Sequence, residues 1–325
     1  MKILVTGGAG YIGSHAVYVL IQQGHDVVVV DNLVTGHKSD VHSDATFYHG
    51  SIGNYRFMVD VLRKESVDGV IHFAAYSLVE ESMLQPFKYY ENNVSATNVM
   101  LAAMAECGIK HLVFSSTAAT YGNVDVSCIT EDVQTLPTNT YGQTKLAMEQ
   151  MISWHGQGSG MRYVALRYFN VAGAHPSGEI YEKHDPETHL IPIILEVAAG
   201  KRSEIHIFGD DYPTKDGTCV RDYIHVIDLV QAHVQAMEYL IGGGSSITCN
   251  LGNGEGFSVR EVIEAARAVT GQVISEVVSQ RRLGDPAKLI ASSLRAKEVL
   301  GWEPKYSLIK DIIESAWNAS YGKLD

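Results

Sequence analysis

The sequence has little that would cross-link it or tie it to a surface. Its four cysteines, Cys107, Cys128, Cys219 and Cys249, lie far apart and form no CxxC. That pattern excludes a disulfide framework and zinc-finger spacing, and a reduced, cytoplasmic setting is expected. No apolar run reaches the roughly 18 residues that cross a bilayer. The chain passes from Met1 straight into an apolar stretch, so neither a membrane nor a secretory leader is expected. Positive charge is scarce: 25 Lys and Arg against 37 Asp and Glu give a net charge of −12, with no basic run. This argues against nucleic acid as a partner. There is no internal repeat and no low-complexity tract. What remains is 325 residues, 46% apolar and 19% charged, enough for a large core and for two domains.

Glycine, by contrast, is plentiful, and three glycines are placed with purpose. Ile3-Leu4-Val5 leads into Gly7, Gly10 and Gly13, and an apolar helical stretch, Ser14 to Ile21, follows. Strand, glycine turn and helix form the context of a dinucleotide fingerprint. Gly7 permits the tight turn, Gly10 lets the backbone approach a pyrophosphate, and Gly13 lets helix and strand pack closely. The helix N-terminus offers N–H groups to the phosphates. Downstream, Asp26-Val27-Val28-Val29-Val30-Asp31 reads as a buried strand ending in an acid. Asp31 suits the ribose hydroxyls and repels a 2′-phosphate, so NAD is expected rather than NADP.

Strands and helices alternate through the first half. Strands are expected at Thr46–His49, Gly69–Ala75, His111–Ser115 and Tyr163–Arg167. Helices are expected at Tyr55–Lys64, from Pro86 to about Cys107, and at Tyr141–His155. Such alternation predicts an α/β fold, a Rossmann-type doubly wound parallel sheet. After Asn170 the loops lengthen. Helices fit Leu190–Ala199, Asp228–Leu240, Val259–Val269, Leu294–Leu300 and Leu308–Ala319, and a strand fits Ile205–Phe208. The expected division is an NAD-binding domain, 1–170, and a smaller α/β substrate-binding domain, 171–325, with the segment near 222–240 packing back on the large sheet.

Ligands of such sheets bind beyond the carboxyl ends of the strands. There the chain places Ala74-Ala75-Tyr76-Ser77 and Ser115-Ser116-Thr117. Tyr141 and Lys145, four apart at a helix start, face the same side. An ammonium near a phenol favours the phenolate, which makes Tyr141 a candidate general base. The second YxxxK, Tyr306 with Lys310, lies outside the nucleotide-binding half and reads as a surface pair.

With Thr6-Gly7-Gly8-Ala9-Gly10-Tyr11-Ile12-Gly13, Ser115-Ser116-Thr117 and Tyr141 with Lys145, the chain resembles the extended short-chain dehydrogenase/reductase family. Within that family it is similar to the UDP-glucose 4-epimerases over essentially its whole length. The matching stretches are Arg167 to Gly178, Ile207 to Tyr212, Asp216 to Val226 and Arg281 to Asp285. The resemblance implies interconversion of UDP-glucose and UDP-galactose with tightly bound NAD: oxidation at C4, a 4-keto sugar that turns over, and return of hydride to the other face. It implies catalytic roles for Tyr141, Thr117 and Lys145. It implies that NAD is held by Gly7, Gly10, Tyr11, Ile12, Gly13, Asp31, Asn32, Ser51, Ile52, Phe73, Ala74, Ala75, Asn93, Ser115, Tyr141, Lys145 and Tyr168. The UDP-hexose would meet Thr117, Tyr141, Asn170, His189, Leu190, Phe208, Arg221, Tyr223, Arg282, Asp285 and Leu289. A homodimer is also implied. Permanently charged, forked arginines suit a diphosphate in an acidic protein; the bland alternative is that Arg221 and Arg282 pair with Asp222 and Asp285.

Three departures from the family pattern stand out. Ser51 replaces an Asp near the adenine, Ser77 replaces a Lys near the cofactor, and Leu289 stands where a Tyr narrows the sugar pocket of some relatives. The alternative readings are another nucleotide-sugar epimerase or dehydratase of the family, or a non-catalytic NAD-binding regulator. Ala118-Ala119 after Thr117 speaks against a dehydratase, which carries an Asp-Glu pair there. Glu182, His184, Asp185, Glu187 and His189 are five candidate metal ligands in one run. Nothing in their spacing places them on one face and Pro186 breaks any helix, so no metal is expected.

Overall fold

The computed structural model describes residues 1–322 except 125, 185, 283 and 284. Its first half runs β1 (Lys2–Thr6), α1 (Tyr11–Gln22), β2 (Asp26–Asp31), β3 (Thr46–His49), α2 (Tyr55–Glu65), β4 (Gly69–His72), α3 (Val79–Leu84), α4 (Pro86–Tyr89), α5 (Ala96–Glu106), β5 (His111–Ser115), α6 (Thr140–Ser159) and β6 (Arg162–Tyr168). The rest runs β7 (Asn170–Ala172), α7 (Leu190–Ala198), β8 (Ile205–Phe208), β9 (Val220–His225), α8 (Val226–Ile241), β10 (Ile247–Leu251), β11 (Gly256–Ser258), α9 (Val259–Thr270), β12 (Glu276–Ser279), β13 (Lys288–Leu289), α10 (Leu294–Leu300) and α11 (Ile309–Tyr321).

Runs such as Val27–Val30 and Leu112–Phe114 are wholly buried, as strands covered on both faces must be. They form a parallel sheet of order β10-β6-β5-β4-β1-β2-β3 among the described residues. One face packs on α1 and α8, the other on α2, α5 and α6. A third cluster joins α7, α9 and α11 to small sheets in which β9 pairs with β7, β11 and β13, and β8 with β12. The doubly wound α/β fold with a smaller α/β part is therefore present. The winding reverses between β1 and β4, and such a reversal opens a crevice at the strands' carboxyl ends. No helix among the described residues is long and apolar enough to cross a membrane.

The structure corrects the reading in three places. β4 stops at His72, not Ala75, because the Thr6 carbonyl accepts from both Phe73 and Ala74 N–H, at 3.0 and 3.1 Å. That shared acceptor turns the chain out of the ladder. The single helix expected from Pro86 is broken into α4, a wider π-turn at Tyr90–Ser95 and α5. In the π-turn Asn93 grips both backbone sides of Tyr76, accepting from its N–H at 2.8 Å and donating to its carbonyl at 3.1 Å. The strand before Asp228 does not return to the large sheet. β9 stays in the small sheet and the large sheet gains β10 instead, while α8, the rest of the 222–240 segment, does pack back on the large sheet beside α1.

Candidate active site

The crevice is a cleft of about 1550 Å³ between the glycine turn and the small sheets. Its cofactor end is set by contact distances that only glycine satisfies. A Cβ on Gly7 would lie 2.6 Å from the Ala74 nitrogen, and one on Gly13 would lie 2.0 Å from the Gly7 carbonyl oxygen. Gly7 also has φ +74°, where a side chain is strained. α1 begins at Gly10 with no side-chain cap and no acid in its first turn. Its first N–H groups and positive dipole end therefore suit an anion. Asp31 accepts from Ala9 N–H at 3.0 Å and Leu33 N–H at 2.8 Å, one on each oxygen. Each oxygen keeps a lone pair for a ribose hydroxyl. These residues fit a dinucleotide.

The reacting end is built from two elements pressed together. Thr117 caps a short turn, accepting from Ala119 N–H at 3.1 Å. α6 begins beside it: Asn139 accepts from Gly142 N–H at 2.8 Å, and a Cβ on Gly142 would be 2.4 Å from the Ala119 carbonyl oxygen. Tyr141 N–H donates to the Ser82 hydroxyl at 3.0 Å, which fixes its backbone. Lys145 is buried, donates to the Ser115 carbonyl at 2.8 Å and lies 5.0 Å from the Phe114 ring centre.

Burial pushes the Tyr141 phenol up to about 12, with the Thr117 hydroxyl pulling the other way. Burial brings the Lys145 ammonium down to about 7, opposed by Glu149. Burial, through desolvation, is thus the largest influence on both groups. One of the three Lys145 ammonium N–H groups is given to a carbonyl.

At the far end Arg282 stacks on Phe208, 3.9 Å from the ring centre. Arg221 donates to the Val220 and Pro286 carbonyls, each at 2.9 Å, and lies 3.6 Å from Asp285. Asp222 does not pair with it. That carboxylate turns inward and accepts from Asn253, Gly254 and Ala291 N–H.

Most residues named from the sequence line this cleft: Gly7, Gly10, Tyr11, Ile12, Gly13, Asp31, Asn32, Ser51, Ile52, Phe73, Ala74, Ala75, Thr117, Tyr141, Lys145, Tyr168, Asn170, His189, Phe208, Arg221, Arg282, Asp285 and Leu289, with Ser77. Four do not. Asn93 is buried and spent on Tyr76 and Thr144. Ser115 lies behind the wall, its hydroxyl 2.5 Å from that of Tyr168. Leu190 and Tyr223 pack in the third cluster. The reading missed Val34, Thr35, Phe169 and Ile193, which also line the cleft; their types carry no signal, and only the fold brings them there. His189 reaches the wall, but its Nδ1 is held by Glu182 and Glu187, each at 2.9 Å. The run expected to scatter its ligands instead gathers Glu182, His184, Glu187 and His189 within 4.8 Å of one another. Asp185 of that run, and Leu283 and Gly284 of the last matching stretch, lie outside the described residues.

Known proteins resemble this chain closely. Residues 3–252 match the NAD dependent epimerase/dehydratase family. The UDP-glucose 4-epimerase of Halalkalibacterium halodurans is 56% identical over 318 residues, covering 98% of this chain and 95% of that one. A crystal structure of a UDP-glucose 4-epimerase superposes with a TM-score of 0.98 at 54% identity, covering 100% of this chain and 99% of the other. That of the Brucella ovis UDP-glucose 4-epimerase in complex with NAD superposes at 0.95 with 45% identity, covering 97% of each chain.

Proposed function

The chain belongs to the NAD dependent epimerase/dehydratase family, and from that premise we propose that it is an NAD-dependent enzyme interconverting UDP-glucose and UDP-galactose. The observation that carries this reading is one continuous cleft. It runs from the glycine turn, past Thr117, Tyr141 and Lys145, to Arg221 and Arg282, in a chain more than half identical to UDP-glucose 4-epimerases. Tyr141 takes the proton of the sugar 4-hydroxyl and later gives it back. Thr117, whose hydroxyl neighbours the phenol, hydrogen-bonds the reacting oxygen. Lys145 holds the cofactor ribose. Bound NAD supplies the acceptor and donor of hydride at C4. Arg282, flat on Phe208, and Arg221 meet the diphosphate with permanent charge. Residues 1–170 serve the cofactor and 171–325 the nucleotide sugar, although α8 and β10 of the second part complete the large sheet.

The test is turnover of UDP-galactose by purified protein. UDP-glucose should form with no matching rise in free NADH. A stoichiometric rise would make the protein an ordinary dehydrogenase instead.

Cofactor choice follows from Asp31. NADP would set a phosphate against a carboxylate already fixed by two backbone donors. The stripped protein should therefore bind NAD more tightly than NADP by fluorescence titration. Equal affinities would overturn the role of Asp31.

Substrate width rests on Leu289, which lies on the cleft wall. Its side chain leaves more room than a Tyr but offers no polar partner. A buried amide without a partner costs roughly 1–3 kcal/mol. Weak epimerisation of UDP-N-acetylglucosamine, clearly below that of UDP-glucose, is expected. Leu289→Tyr should abolish it and spare UDP-glucose. If the variant handles both sugars as the parent does, Leu289 does not set the pocket.

We also propose a homodimer. Met83, Leu84, Phe87 and Tyr90 on and beside α3 and α4 and Trp154 on α6 are exposed, and α6 touches α3 and α4. Exposed apolar side chains gathered on adjoining helices mark an interaction face. Light scattering should give twice the 35.5 kDa chain mass; a monomer at working concentration would dismiss the dimer.

A further inference from the structure

We propose that Glu182, His184, Glu187 and His189 bind one divalent transition-metal ion, zinc being the best match, and that the ion locks the loop before α7 against the glycine turn. The argument begins with charge. The Glu182 and Glu187 side chains are only 8% and 7% exposed. Buried carboxylates need a cation close by. Among the described residues neither has a Lys or Arg partner, and the adjacent Lys183 is committed to Asp40 at 2.7 Å. The groups that face them are two imidazoles, the Tyr11 phenol and the backbone N–H groups of Thr188 and His189, which donate to Glu187 Oε1 at 2.7 and 2.8 Å. One divalent ion with neutral histidines would balance two carboxylates.

Geometry supports the same ligand set. His184 Nδ1 lies 2.9 Å from Glu182 Oε1 and 3.8 Å from Glu187 Oε2. His189 Nδ1 lies 2.9 Å from an oxygen of each carboxylate. A tetrahedral zinc with ligands at about 2.0–2.2 Å has edges of about 3.3–3.6 Å. The observed separations bracket that range. Imidazole with carboxylate is a zinc-type donor set. All four ligands come from the chain, which marks a closed, structural site rather than a catalytic one.

The position gives the ion its consequence. The four residues lie in a loop without regular structure that lines the cleft and leads into α7. The His184 ring meets Tyr11 edge-on at 6.2 Å, and Tyr11 opens the helix of the glycine turn. Fixing four side chains of an irregular loop opposes its conformational entropy. An ion would hold that loop beside both the cofactor turn and the sugar end, so its main kinetic effect should be on KM rather than kcat. This inference does not depend on which sugar is turned over.

The test uses the purified full chain with its bound cofactor. After treatment with a chelator, zinc is added, excess is dialysed away and metal is counted by mass spectrometry. One zinc per chain is expected, with a higher Tm than the chelated protein. His184→Gln and Glu187→Gln should each weaken zinc by more than about 100-fold, since even outer-shell losses cost 10–100-fold. Cofactor content and circular dichroism check that the variants fold. Cobalt on the parent gives a readout independent of the variants. Intense tetrahedral d–d bands without a thiolate charge-transfer band are expected. No stoichiometric metal, undiminished binding in both variants, or a thiolate band that places the ion on cysteine would each overturn the site.

Discussion

Tyr141→Phe should keep the fold and the bound cofactor and lower turnover of UDP-galactose by about 10²–10⁴, the usual worth of a positioned acid–base group. The backbone of Tyr141 is held independently of its hydroxyl, by Ser82, Asn139 and the close fit of Gly142 against Ala119. The hydroxyl is therefore free for chemistry, and its removal deletes a proton acceptor without opening a cavity. The pH profile adds a second readout. Burial, partly offset by the Thr117 hydroxyl, leaves the phenol at about 12, so at neutral pH the protein groups leave it protonated. A positive charge brought into the cleft favours the phenolate and lowers that value. The loaded parent should then show a rising limb in kcat/KM at an apparent pKa well below 12. Tyr141→Phe should lack that limb. Turnover within tenfold of the parent, with the limb retained, would remove Tyr141 from the mechanism.

What could be read from the sequence was what is local. Gly7, Gly10, Gly13 and Asp31 announce themselves because one turn and one strand fix their geometry. Tyr141 and Lys145 do so because a single helical turn sets them on one side. Facing direction over longer distances was not legible. Arg221 and Tyr223 share one face of β9 by alternation, yet Arg221, near the strand's start, lines the cleft while Tyr223 lies one step deeper, in the cluster with α7, α9 and α11. Asn93 has the right residue type, but a π-turn that no periodicity announces rotates it onto Tyr76. The metal-type ligands failed for the same reason. Their convergence depends on the path of an irregular loop, and Pro186 argues only against a helix. β10 was passed over because five residues after a glycine break carry too little pattern to reveal the sheet edge they complete.

Glu149→Leu should destabilise the protein by about 3–5 kcal/mol, the penalty for leaving one partner of a buried pair uncompensated. Glu149 lies on α6 one turn beyond Lys145, a placement its i+4 spacing predicts. Its carboxylate accepts from Arg167 Nε at 2.9 Å and from Nη2 at 2.5 Å, and also from the Ser116 hydroxyl. The two side chains are 8% and 9% exposed. Arg167 is further stacked over Tyr121 at 4.8 Å, whose hydroxyl donates to Asn250 on β10 at 2.7 Å. One carboxylate thus ties α6 to β6 and to Ser116 just past β5, and Arg167 extends the link through Tyr121 to β10. Removing it strands a guanidinium and a hydroxyl in a dry interior, where a charge costs several kcal/mol. The loss would take a large share of a total stability of roughly 5–15 kcal/mol. Urea unfolding should show a lower midpoint with an unchanged slope, and added salt should not restore it because the pair is shielded from solvent. The double variant Glu149→Leu/Arg167→Met removes both charges and should recover much of the loss. A single variant within about 1 kcal/mol of the parent, or a double variant no better than the single, would show that Arg167 finds another partner and that the pair does not hold the helix in place.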